Sequence, residues 1–155
     1  MARVFRRATE ADTTLLNDMT LAGIRHWGHD VNFPQAYAGL AANLPSDEDT
    51  AANPIFVLEE EGEPIAFHDL RDRGDHVELL RMFQRPDLIG TGLGRILWEH
   101  AVGQARQMGD RMLIMSDPEA EGFYAAMGAT VERHVDVDGG PRLGVYWFDL
   151  RNGVE

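Results

Sequence analysis

The stretch LIGTGLGRIL, residues 88–97, concentrates the residue types best suited to binding chemistry. Gly90, Gly92 and Gly94 alternate with other residues, and a helical pattern begins at once behind them. The first amides of a helix have no partner inside it, and its dipole puts partial positive charge at that end. Glycines in front expose further N–H groups and let a bulky anion approach, so the order strand, glycine loop, helix can build a phosphate cradle from main chain. A tight turn leading into an ordinary helix reads equally well from these residues alone.

Two familiar cradles are excluded. A P-loop needs Lys and then Ser or Thr after its last glycine, and Gly94 is followed by Arg95 and Ile96. The dinucleotide fingerprint needs the spacing G-x-G-x-x-G directly after the first strand, whereas this loop reads G-x-G-x-G and several strands precede it.

The flanking sequence supplies the elements that must hold the loop. RVFRR reads as a short strand, and Thr9 with Asp12 as a capping box for a helix through Leu15, Leu16, Met19 and Ile24. The pattern breaks at Gly28, a second short helix fits residues 36–40, and NLPSDEDTAANP reads as a loop. IFVLEEEGEPIAFHDL predicts a hairpin turning at Glu61, Gly62 and Glu63. In DHVELLRMF, alternation puts Val77, Leu79, Arg81 and Phe83 on one face, and Glu78, Leu80 and Met82 on the other. From Gly92 the period is helical, with Leu93, Ile96, Leu97, Ala101, Ala105 and Met108 on one face and Gly109 as the C-cap. RMLIMS predicts a strand buried in mid-sheet, and DPEAEGFYAAMG a helix opened by Asp117 and Pro118 and closed by Gly128. Two last strands, near residues 130–137 and 143–150, meet at DGG, giving one mixed α/β (α+β) domain over residues 1–155.

Composition narrows the function classes. No cysteine is present, which removes disulfides, thiolate nucleophiles and Cys-ligated zinc. Acids outnumber Lys and Arg 26 to 14, for a net charge of −12, which argues against nucleic acid and favours small cations such as amines. Neither a secretory signal nor a run of ~18 apolar residues is evident, so a cytoplasmic protein without membrane contact is expected. His26 and His29 lack an acidic or cysteine partner set, so no metal is expected; His68, His76, His100 and His134 are scattered singly and read as surface or core residues.

The stretch from Glu78 to Arg95, together with DPEAEGFYAAMGA, resembles the GNAT superfamily of acetyl-CoA-dependent N-acetyltransferases. The family's signature Q/R-x-x-G-x-G/A aligns with Ile89, Gly92 and Gly94, with Ile standing where the family has Gln or Arg; its second signature, a helix with Phe-Tyr and a closing glycine, matches Phe123, Tyr124 and Gly128. The likeness covers residues 77–129 well and the segment RRATEAD loosely. It implies the GNAT fold: a mixed, mostly antiparallel sheet of about six to seven strands, splayed at the acetyl-CoA site and flanked by about four helices.

The resemblance also implies residue roles. Coenzyme A phosphates would lie on Ile89, Gly90, Thr91, Gly92, Leu93, Gly94 and Arg95, and the rest of the molecule along Met82, Phe83 and Gln84 and against Asp117, Phe123 and Tyr124. Glu78, eleven residues before Ile89 (89 − 78 = 11), would accept the amine's proton from among apolar neighbours. Tyr124, a phenol with a pKa near ~10, would protonate a leaving thiolate whose thiol sits near ~8.5. Trp27, His29, Phe33 and Tyr37 would line the acceptor pocket. The expected activity is acetyl transfer from acetyl-CoA to a primary amine of a small molecule or peptide, in a chain that could dimerise as similar proteins do; the alternative is a non-catalytic acyl-CoA sensor or interaction module on the same fold.

Overall fold

A computed structural model describes residues 2–26, 44–137 and 140–151. Its frame is a single seven-stranded sheet, ordered β1-β2-β3-β4-β5-β7-β6. The strands are β1 (Arg3–Arg7), β2 (Ile55–Glu60), β3 (Glu63–Asp72), β4 (Val77–Gln84), β5 (Arg111–Ser116), β6 (Thr130–Asp136) and β7 (Arg142–Asp149). All neighbours run antiparallel except β4 and β5. The described residues also form the helices α1 (Thr13–His26), α2 (Asp47–Ala52), α3 (Leu93–Ala105) and α4 (Glu121–Ala126). No helix among them is long and apolar enough to cross a membrane. Trp27, His29, Phe33 and Tyr37, and the helix expected near residues 36–40, lie outside the described residues.

Helices cover both faces, because neighbouring strand residues point opposite ways. Phe67, Ile55 and Val57 pack against Leu16 and Met19 of α1. Their neighbours Ala66 and Leu58 pack with Leu93 and Leu97 of α3 on the other side. A further cluster joins Leu70, Val77 and Leu79 to Trp98, Ala101 and Ala105 of α3. Burying a side chain such as Phe67 or Leu97 contributes about 1.5–3 kcal/mol relative to leaving it exposed.

Local signals explain several element ends. Thr9 and Asp12 form the expected capping box, heading a short 3-10 turn before α1. The β2–β3 hairpin turns on Glu61 and Gly62, both at positive φ (51° and 84°), the two-residue geometry whose twist suits a hairpin.

Five expectations need correction. The segment read as a loop contains α2, because Ser46 and Asp49 form a second capping box and Thr50 is buried against Thr13 through a 2.8 Å hydrogen bond. Helix α3 ends at Ala105, and Gly109 only closes the turn after it, donating its N–H to the Ala105 carbonyl. Strand β5 alternates instead of being buried throughout; Met115 is 38% exposed because β4 has moved away from it.

The fourth correction concerns β4. Leu70 pairs with Leu79 and Asp69 with Arg81, which leaves Leu80 as an extra, unpaired residue. Such a bulge shifts the alternation by one. Val77 and Leu79 therefore face α3, whereas Arg81 and Phe83 face α1. Glu78 shares the α1 face with Arg81, not a face with Met82, whose side chain packs toward α3.

His68 and His100 are not isolated either. They meet between β3 and α3, Nε2 to Nδ1 at 2.8 Å, with the Phe5 ring stacked on His100 at 3.7 Å. Burial pushes His68 down to about 3 and also lowers His100. A folded-state value below the unfolded ~6.5 means that the unfolded chain takes up the proton first. This contribution to stability is therefore complete above pH ~6.5 and is lost as pH falls below it, by about 1.4 kcal/mol per pH unit for each proton taken up. Urea unfolding at pH 7, 6 and 5 is expected to show this slope, and the double variant His68→Leu/His100→Leu is expected to lose most of it.

Candidate active site

The parallel ladder between β4 and β5 holds for only two positions, Val77 with Met112 and Glu78 with Leu113. Beyond them the strands part, and a cavity of about 570 Å³ opens in the wedge. Its walls are residues 79–84 of β4, residues 114–117 at the end of β5, Gly23 and Ile24 of α1, Ile89, Gly90, Gly92, Gly94, Arg95 and Leu97 of the loop and α3, and Glu119, Ala120, Phe123, Tyr124 and Met127 around α4. Strand β4 pairs with β3 along one edge, so beyond Glu78 the backbone groups of its other edge are left for a ligand.

The loop is built by a run of tight turns. Pro86 opens a 3-10 turn, Leu88 N–H donates to the Arg85 carbonyl, and the Thr91 hydroxyl donates to the Leu88 carbonyl at 2.6 Å. Gly90 and Gly92 both have φ +87°, a left-handed conformation that side chains strain. Gly92 caps α3 without a side-chain hydrogen bond, so the first amides of the thirteen-residue helix stay open to an anion.

Gly94 serves a different purpose. It is already helical, and a Cβ there would lie 3.2 Å from Cε1 of Phe123. Its bareness lets α4 approach α3, which brings Tyr124 to the cavity. The Tyr124 ring is 8% exposed and packs at 5.8 Å from Trp98 and 5.3 Å from Phe123. Burial, with the nearby Asp117 charge adding to it, raises the phenol above its ordinary pKa. At neutral pH this hydroxyl is a proton donor, not a phenolate.

Other expected site residues distribute unevenly. Met82, Phe83, Gln84, Ile89, Gly90, Gly92, Gly94, Arg95, Asp117, Phe123 and Tyr124 all line the one cavity. Leu93 does not: its side chain is buried in the core with Leu58 and Ile65, leaving only its amide for the loop. Thr91 spends its hydroxyl on closing the turn. Glu78 sits at the last paired position before the strands part, beside the wall residue Leu79, and its carboxylate accepts from Arg73 Nε at 2.9 Å.

Sequence reasoning missed Arg81. Read as one more face residue of an alternating strand, it is instead a buried guanidinium in the cavity wall. The signal that could have found it is the charge itself, since an arginine among inward-facing residues needs partners.

Comparison with known proteins agrees with this geometry. Residues 22–129 match the model of the Acetyltransferase (GNAT) family. Over 86 residues the chain is 34% identical to the peptidyl-lysine N-acetyltransferase YjaB of Escherichia coli (strain K12), an alignment that covers 55% of this chain and 55% of that protein. The chain thus spans about half the length of this relative. In fold it is similar to a GCN5-related N-acetyltransferase from Rhodopseudomonas palustris (TM-score 0.79, 15% identity, 96% of both chains). It is also similar to YncA, a putative acetyltransferase from Salmonella typhimurium solved with acetyl-CoA (TM-score 0.70, 18% identity, 100% of this chain and 98% of that one).

The Gly94 contact can be tested by size. Alanine gains about 1 kcal/mol of helix propensity over glycine, which offsets the few tenths of an ångström that Phe123 must yield. Gly94→Ala is therefore expected to melt close to the parent. Gly94→Val has to displace the ring and should lose about 1–3 kcal/mol, read as a lower Tm and an altered near-UV aromatic signal.

Proposed function

Because the chain belongs to the GNAT acetyltransferase family, we propose that residues 1–155 act as one catalytic domain, which transfers an acetyl group from acetyl-CoA to a primary amine of a small molecule or peptide by direct attack in a ternary complex. The observation that carries this reading is the single wedge between β4 and β5, where an uncapped helix start, a free strand edge and a protonated phenol face one cavity. Gly90 and Gly92, at positive φ and with open space where a side chain would stand, suit a pyrophosphate. Acetyl-CoA supplies an activated thioester, and the cytoplasm is the setting proposed for the reaction.

The residues divide the work as follows. Amides at the start of α3 hold the phosphates, with Arg95 in the wall as the nearby cation. Backbone N–H groups on the free edge of β4, along Met82, Phe83 and Gln84, polarise the acetyl carbonyl. The amine nitrogen bonds to the carbonyl carbon as the carbon–sulfur bond breaks. Tyr124 gives its proton to the departing sulfur. Its raised pKa keeps the proton in place until the thiolate forms.

The amine must lose a proton, since a primary amine with pKa near ~10.4 is mostly ammonium at pH 7. Glu78, on the α1 face and outside the cavity wall, takes this proton through water rather than by direct contact. YjaB is named for acetylating peptidyl-lysine, and a lysine side chain belongs to the amine class proposed here.

Release of free thiol from acetyl-CoA, measured with and without a panel of primary amines, tests the activity: amine-dependent release is expected. Tyr124→Phe keeps the ring and its packing and should lower kcat by ~10- to 10³-fold with little change in acetyl-CoA affinity or Tm. Unchanged kcat with a lower Tm would make Tyr124 a packing residue only. Glu78→Gln should lower kcat/KM at pH 7 by ~10-fold or more and recover as pH rises, because more amine is then already neutral. Wild-type rates at every pH would remove Glu78 from the proton path.

A further inference from the structure

Arg81 is 7% exposed, yet it stands in the cavity wall beside Gly23 and Ile24 of α1. Its fork is held on two corners. Nε donates to Asp69 Oδ2 at 2.9 Å, and Nη1 donates to Asn17 Oδ1 and Thr20 Oγ1, both at 3.1 Å. Those partners are themselves committed. Asn17 donates to the Pro45 carbonyl and Thr20 to the Leu16 carbonyl, while Asp69, fully buried, also accepts from Arg71 Nε and Nη2. The remaining corner, Nη2, is buried and has no partner among the described residues.

A charged donor left without a partner in a buried place is costly, and such groups are normally satisfied. Asp69 serves two guanidiniums at once, and Asp49 adds a more distant negative charge. Only Nη2 is left to donate, so an incoming group is met at one corner by one or two N–H bonds, not by the bidentate fork. A carboxylate oxygen fits that corner in charge and in size.

We propose that Nη2 of Arg81 binds a carboxylate carried by the acceptor itself, so that the preferred acceptor is a small amine bearing a carboxylate. The proposal rests on the acetyl-transfer reading above for the word acceptor, and on the buried fork alone for the carboxylate. It also suits the charge of the whole molecule. The net charge of −12 draws the ammonium end of a zwitterion toward the protein, and one fixed guanidinium inside the cavity selects its other end. Three partners, Asp69, Asn17 and Thr20, hold Arg81 in place, so the guanidinium is ordered before a ligand arrives.

The experiment uses matched pairs that differ only in carboxylate against carboxamide: β-alanine, 4-aminobutyrate and Nα-acetyllysine, each with its amide. Binding is measured by calorimetry on the protein saturated with coenzyme A, at a pH where the carboxylates are ionised, and acetyl transfer is measured separately with acetyl-CoA. At least one carboxylate is expected to exceed its amide by roughly 10-fold or more in affinity and in kcat/KM, the range of a hydrogen bond to a charged group. Arg81→Lys keeps the charge but loses the fork, and should bring the ratio toward one while coenzyme A affinity holds. Should that variant fold poorly, the ratios of the parent still decide: no preference in any pair overturns the proposal. A preference that persists in Arg81→Lys overturns it too, and makes Arg81 a structural pin between α1 and the sheet. Preferential binding without acetyl transfer to any pair member would leave the carboxylate site standing and overturn the acetyl-transfer reading instead.

Discussion

The parting of β4 and β5 after two ladder positions is the constraint from which the rest of the site follows. A parallel pair that stays zipped would use up both edges of β4 in the sheet. By separating, the strands leave one edge of β4 unpaired inside the molecule, where water or a ligand has to satisfy it. The bulge at Leu80 lies just past the last paired position and gives β4 the bend that lets it leave β5. The same bulge turns Arg81 toward α1, so one extra residue both opens the cavity and aims a guanidinium into its wall.

Around this wedge, glycine is used in two physically different ways. Gly90 and Gly92 are needed for backbone conformation, since both adopt a positive φ and neither has a neighbour where a side chain would stand. Gly94 is needed for space, because Phe123 occupies the volume that a side chain would fill. The first use leaves helix amides bare for an anion. The second lets α4 come close enough for Tyr124 to reach the cavity, with Trp98 packed behind it. The open start of α3 and the Tyr124 hydroxyl are thus held on one cavity through the packing of one short helix on one long one.

Burial also sets the charge state of the groups that matter. The Tyr124 phenol is kept protonated, the His68–His100 pair is kept neutral, and Arg81 is kept charged by Asp69 although burial works against it. The outer surface does the opposite, with many acids in ion pairs at its margins, such as Arg85 with Asp87 and Arg151 with Asp149. Within this strongly acidic chain, the open start of α3 and the buried Arg81 both lie in the wall of one cavity.

The sequence by itself determined most of the described elements and the glycine loop. Capping residues, the two-residue turn at Glu61 and Gly62, and the helical period after Gly92 are local signals, each decided by a few adjacent residues. The glycine loop and the Phe123-Tyr124 helix were legible for the same reason, and eleven of the expected residues line the one cavity. What local patterns cannot encode is where one strand leaves another. A single bulge residue moved Glu78 and Arg81 to faces that simple alternation had misassigned relative to their neighbours, and nothing in VELLRMF marks Leu80 as the extra one. The meeting of His68 with His100, and of Arg81 with Asp69, Asn17 and Thr20, depends on contacts between residues 12 to 64 positions apart. Only the tertiary structure decided these, because a buried charge finds its partners across packed elements and not along the chain.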